Sequence, residues 1–170
     1  VGESPITDGS WISTVSGDWS TASNWQSSAI ANGSDQTATF SAGTGIESIT
    51  ATLDSNRTIG NLAFSNANYT ITGTSTTLTL GSSGTPAIGV AAGLSATINS
   101  KLASSLVVAK TGDGTLKLYA GAGDNTNPGT YNDSLGGMDI QAGTVSLDSQ
   151  FIKLGPINIA SGATLKSTVL

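Results

Sequence analysis

Neither cysteine nor histidine occurs in this 170-residue chain. Without cysteine there are no disulfides and no thiolate metal sites, though this does not fix a reducing compartment, since bacterial surface proteins often lack cysteine. Without histidine, the commonest general base and the commonest transition-metal ligand are both missing. Charge is sparse too. Six cations stand against eleven acids for a net charge of −5, a balance that argues against nucleic acid as a partner. No apolar run approaches the roughly 20 residues needed to cross a bilayer as a helix, so membrane insertion is not expected. Nor does any stretch carry a 3.6-residue apolar period or a capping box, which removes helices from the expected elements.

What is present is small, hydroxylated and apolar. Ser and Thr contribute about fifty residues, Gly another 22, and 37% of the chain is hydrophobic. That hydrophobic share, with so modest a charge, describes a folded chain. β-Branched and small residues suit narrow pleated surfaces, so the expected class is all-β, in one domain. The chain opens at Val1 without Met or a signal-peptide pattern, and the expectation is a mature form or an excised piece.

Residues 1–10 are polar and irregular and read as an N-terminal arm. Residues 11–40 read as a cap region, because Trp11, Trp19 and Trp25, all the tryptophans of the chain, fall within fifteen residues. Large rings there could lid the open end of a β core, with their N–H groups on polar partners. The alternative is an exposed platform on which carbohydrate rings stack; the lid is preferred. From residue 41 to 170 short apolar pairs recur every eight to twelve residues around Gly-containing corners, the rhythm of many short strands. Ile140-Gln-Ala-Gly143-Thr-Val145-Ser-Leu147 and Ile157-Asn-Ile159-Ala-Ser-Gly162-Ala-Thr-Leu165 share one shape, and Val90 to Ile98 repeats it. Degenerate internal repeats of this size point to a parallel β-helix, a solenoid whose coils each bury a few small aliphatic side chains. The competitor is an antiparallel β-sandwich, disfavoured because Asn32-Gly33 is the one hairpin-type Asn-Gly dipeptide. Residues 120–137 exceed a normal connection and are expected to project as a long loop.

The sharpest local device is Lys110-Thr-Gly112-Asp113-Gly114-Thr-Leu116-Lys117-Leu118. Both glycines permit positive φ and Asp113 can bond to nearby backbone, so a strand ends, turns and restarts with Lys110 and Lys117 facing solvent. Together with Thr130-Tyr131 and Ile140 to Leu147, this run resembles the autotransporter-associated β-strand repeat. Gly17 to Trp25 and Asp54 to Phe64 resemble segments that precede such repeats in large bacterial surface proteins. The loop departs from the family pattern, with Asn127-Pro-Gly-Thr-Tyr131 where a tighter run is usual. The resemblance implies a right-handed β-helical passenger, exported to the cell surface or beyond, with a structural or adhesive role and no defined chemistry.

Enzymatic β-helices need clustered acids, yet Glu47, Asp54, Asp113, Asp124, Asp133, Asp139 and Asp148 are scattered singly. Asp133 and Asp139 could meet across the loop with Lys153 nearby, although nothing in their spacing requires it. Gly121-Ala-Gly123-Asp124 is one incomplete copy of a calcium nonapeptide, too little to build a site that takes ligands from successive turns. Four matches to the glycosylation acceptor pattern begin at Asn32, Asn56, Asn68 and Asn132, as chance allows in so Ser- and Thr-rich a chain. The expectation is therefore a non-catalytic extracellular protein without cofactor or metal. Its expected partner is itself, in a head-to-tail fibre, or else a surface polysaccharide bound at the Trp segment.

Overall fold

The structure is a computed structural model and describes residues 5–119, 133–148 and 152–167. It is all-β. In chain order the strands are β1 Gly9–Trp11, β2 Gly17–Asp18, β3 Gly33–Phe40, β4 Ser48–Thr52, β5 Arg57–Phe64, β6 Asn68–Leu80 and β7 Ala87–Val90. There follow β8 Ser95–Thr111, β9 Thr115–Leu118, β10 Asp133–Ile140, β11 Thr144–Leu147, β12 Ile152–Leu154, β13 Ile157–Ile159 and β14 Thr164–Ser167. Two single 3-10 turns, Ala22–Asn24 and Gln26–Ser28, are the helical elements among the described residues.

Every ladder between these strands is parallel. The antiparallel pairs Thr7↔Asn32 and Trp11↔Trp25 are isolated bridges, so the described residues do not build the antiparallel sandwich weighed above. Ladder partners lie 19 to 34 residues apart, from Met138↔Ile157 at one extreme to Gly17↔Ala51 at the other, with Ser48↔Asn68, Tyr69↔Ala96, Ser95↔Thr115, Thr144↔Thr115 and Thr144↔Thr164 between. The chain thus returns at that interval to the ladder it left, and the long strands β6 and β8 each contribute to more than one ladder. Residues 133–137, expected as the end of the long loop, already belong to β10, which pairs with β8. The remainder of that loop, including Gly121 to Asp124, lies outside the described residues.

Parallel in-register pairing puts equivalent side chains above one another, and this is how so few large residues make a core. One interior column runs Ile49, Tyr69, Ala96, Leu116, Val145, Leu165, and its neighbour Ala51, Ile71, Ile98, Leu118, Leu147. A third begins aromatic and turns aliphatic: Trp11, Phe40, Phe64, Val90. Phe40 and Phe64 stack with centroids 5.0 Å apart at 14°. The layer starts earlier than the sequence suggests. Gly9 and Ser10 of the expected arm already pair, with Trp11 of the cap region, with Ala38 to Phe40, and a side chain at Gly9 would run into Ala29 backbone and the Trp25 ring.

Polar side chains fasten one row to the next. The side-chain oxygens of Asp8, Ser16, Asn56, Asn61 and Asn68 accept the backbone N–H of Thr37, Thr50, Thr77, Ala87 and Ser95, at 2.6 to 3.1 Å. Asn68 works in both directions, since its Nδ2 also donates to Ile46 O at 3.2 Å. These bonds satisfy backbone donors at the first residue of β7 and β8 and within β3, β4 and β6.

Tyr69 is the one phenol of the interior columns among the described residues. It donates to Ala42 O at 2.6 Å, and burial pushes its pKa up to about 12 from 10.0. The folded state therefore holds this proton more tightly than the unfolded chain. Stability present below pH 10.0 is expected to fall away as pH rises from there to about 12. Tyr69→Phe should abolish that alkaline loss while costing about 1 kcal/mol at neutral pH for the missing hydrogen bond. Urea titrations at stepped pH check this; equal alkaline slopes in the two proteins would refute it.

Candidate functional site

The three tryptophans are brought together as the sequence predicts, and they are closed to solvent. Trp11, Trp19 and Trp25 are 0%, 0% and 1% exposed. Trp25 meets Trp11 edge-on at 5.3 Å and Trp19 at 5.1 Å, and all three surround Phe40. Each indole N–H has a backbone acceptor: Ser13 O, Ala31 O and Trp19 O respectively, at 2.9, 3.0 and 2.7 Å. Sequence dictates this locally. Thr21 to Ala29 folds as the two 3-10 turns, carrying Trp25 across the end of the stack beneath β1. All three rings are buried, and in this conformation no indole face is open for a sugar ring to stack on.

The acids do not converge. Asp133 and Asp139 lie in one strand, β10, five residues intervening, which at about 3.3 Å per residue holds them up to roughly 20 Å apart. Lys153 pairs in register with Ser134, near Asp133 and away from Asp139. Asp139 instead accepts from Gln141 Nε2 at 2.9 Å. Among the described residues no group of three acids is placed to hold a metal ion. Asp35, with φ of 65°, spends one carboxylate oxygen on Ser82 Oγ, Ser83 N and Ser83 Oγ. The Ser83 backbone bond, the Ser82 hydroxyl and that of Ser83 hold its carboxyl below the usual range.

Two buried cations escaped the sequence reading. Lys110 was expected on the solvent face, but it is fully buried. Its register explains why: it stands between Ile88 and Ile140 in the interior column that runs on to Ile159. The aliphatic stem fills the column and Nζ curls to the corner, donating to Thr111 O at 2.9 Å, Gly112 O at 2.7 Å and Ala142 O at 3.1 Å. Burial pushes its pKa below the ordinary value, with Asp113 opposing. The corner itself follows expectation at Gly112, whose φ is +72°. Gly114 serves a different need from the expected one, because a Cβ there would collide with Ala91 O and Leu94 O of the adjoining row. Arg57 likewise faces inward, in register with Leu78 and Leu102. Its guanidinium donates to Ser20 Oγ at 2.7 Å, and Ser20 in turn bonds Asp54. Burial lowers its pKa and Asp54 opposes.

Burial differs along the stack. The three tryptophans are enclosed, whereas Ile157 and Ile159, which continue interior columns, are 36% and 50% exposed, and Leu154, Ala163 and Leu165 are only partly buried. Comparison with family models, curated proteins and solved structures finds no match.

Proposed function

We propose that the chain is a right-handed parallel β-helix working as a non-catalytic structural or adhesive element on or outside the bacterial cell. The observation that carries this reading is the register. Parallel partners recur 19 to 34 residues on, with like side chains in column and polar side chains consumed in fastening one row to the next. Such a structure extends by repetition and presents long flat sides, which suits a spacer or an adhesive stalk. The likeness of Lys110 to Leu118 and Ile140 to Leu147 to the autotransporter-associated β-strand repeat supports export and the right-handed sense. Function then resides in shape and surface, with Trp11, Trp19 and Trp25 keeping one end shut.

Two readouts test this. Antibodies raised against the purified chain are expected to label intact cells of the source organism, and solution scattering should give an elongated particle. Labelling only after lysis would overturn the location, and an isometric particle would overturn the architecture.

A further inference from the structure

Tyr119 stands apart from the other rings of this chain. Among the described residues Trp11, Trp19, Trp25, Phe40, Phe64 and Tyr69 are at most 3% exposed, whereas Tyr119 is 40% exposed. Alternation along β9 explains the difference: Leu116 and Leu118 turn inward, which leaves Thr115, Lys117 and Tyr119 on the outer face. Leu118 pairs with Ile98, and the Tyr119 N–H donates to Ile98 O at 3.0 Å, so extended backbone runs on to the ring. Neighbours on this face are small, with Thr97 and Ser146 in register on either side of Lys117. At the start of the strand the same face opens into a notch of about 380 Å³, lined by Asn68, Ser95, Asp113, Thr115 and Lys117 among others. Gly93 helps to make the notch, because at φ +77° it leaves free the space a side chain would fill. The Gly112-Asp113-Gly114 corner reaches over the adjoining row, where the Gly114 N–H donates to Val90 O at 3.0 Å. The Asp113 carboxylate and the Lys117 ammonium make no hydrogen bond or ion pair within the described residues.

We propose that the strip from Asp113 to Tyr119 is a binding track for a neutral glycan. The inference deepens the adhesive reading above, on which it rests, by naming the class of partner. The apolar face of a sugar ring stacks on the exposed phenol ring, and both surfaces leave water. In the notch the Asp113 carboxylate accepts from neighbouring sugar hydroxyls, and the Lys117 ammonium donates to sugar oxygens. Both bonds are charge-assisted, and neither group has to give up a partner within the chain to make them. From Thr115 to Tyr119 the strand covers about 13 Å, the reach of a short oligosaccharide. One ligand therefore touches the notch and the ring together. Charge selects the class. The notch holds one acid and one cation while the chain carries −5, so a polyanionic glycan is repelled and a neutral one is not. The enclosed tryptophans take no part.

The test follows the isotope-labelled 170-residue chain by NMR as oligosaccharides are added. The probes are cello-, laminari- and isomalto-oligosaccharides, all neutral, with oligogalacturonate as the anionic counterpart. At least one neutral probe is expected to shift the amides of residues 93–95 and 113–119 while the indole N–H signals stay in place. Tyr119→Ala, and separately Asp113→Ala with Lys117→Ala, should each weaken binding about tenfold, the size of a lost charge-assisted bond. Tyr119→Trp should keep binding and, with the native tryptophans enclosed, report it as a change in emission. Circular dichroism of each variant keeps folding separate from recognition. No shift with any probe, shifts centred elsewhere, undiminished affinity in folded Tyr119→Ala, or a preference for oligogalacturonate would each overturn the track. None of those results changes the particle shape or the surface labelling expected above. Binding at the strip without surface labelling would keep the track and overturn the location.

Discussion

Trp19→Ala is expected to lower stability by about 3–5 kcal/mol, the range for deleting a large buried aromatic, and the melting temperature by roughly 10 °C. The reasons are local and cumulative. Trp19 is wholly enclosed, packs on Trp25 at 5.1 Å and on Phe40 at 5.4 Å, and donates to Ala31 O at 3.0 Å. Its own carbonyl accepts the Trp25 indole at 2.7 Å, so displacing its backbone would loosen the second ring as well. Ala would leave a void at the base of the Phe40–Phe64 stack, directly above the first aliphatic layer. Trp19→Phe should lose less, because it keeps much of the ring packing and forfeits mainly the bond to Ala31. Thermal melts of the three proteins check the order. A loss under about 1 kcal/mol for the Ala variant would mean that the lid is not what closes the core. The same geometry predicts that oligosaccharides leave native Trp emission unchanged, since the rings are already enclosed.

The joint burial of the tryptophans was legible because three large rings in a chain so poor in aromatics must be buried somewhere, and they are near one another in sequence. The all-β class was legible in runs such as Ile140 to Leu147 and Ile157 to Leu165, where apolar pairs flank a Gly corner; in the structure their strands pair in register. The start of the layer was not. β1 is three residues long, one of them Gly9, and its strand character comes from β3 across the ladder and from close approach of the Trp25 lid. No local propensity marks it. The acids of β10 illustrate the converse error. Asp133 and Asp139 are close in sequence on either side of a glycine pair, and a loop would have let them meet. Pairing with β8 stretches those residues into strand and separates them. Sequence spacing alone does not say whether a segment is extended, and partners 30 residues away decide it.

Lys110→Met is the second large effect and shows why a charged residue in a repeat misleads. Beside Gly112-Asp113-Gly114, a lysine invites the reading of a solvated corner. The ladder register gives the opposite answer: Lys110 pairs with Ile140, and Ile140 in turn with Ile159. The position is interior, and the ammonium survives there because three carbonyls surround it. Met keeps most of the stem's volume but supplies no donor to Thr111 O, Gly112 O or Ala142 O, two of them in the corner itself and one in the next row. The expected loss is about 2–3 kcal/mol at neutral pH, the size of a charge-assisted hydrogen bond removed from a buried acceptor set. The pH dependence carries a second signature. Burial lowers the folded pKa of Lys110 below its ordinary 10.5, so in the alkaline range beneath that value the unfolded chain binds the extra proton. Stability contributed at this site therefore rises with pH as lysine's ordinary value is approached. The gap between wild type and Lys110→Met should widen over that interval, measured by denaturant titration below pH 10.0, before Tyr69 begins to titrate in the unfolded chain. A gap that stays constant, or an ammonium that can be removed without loss, would place the Lys110 side chain in solvent and disprove the interior register assigned to it.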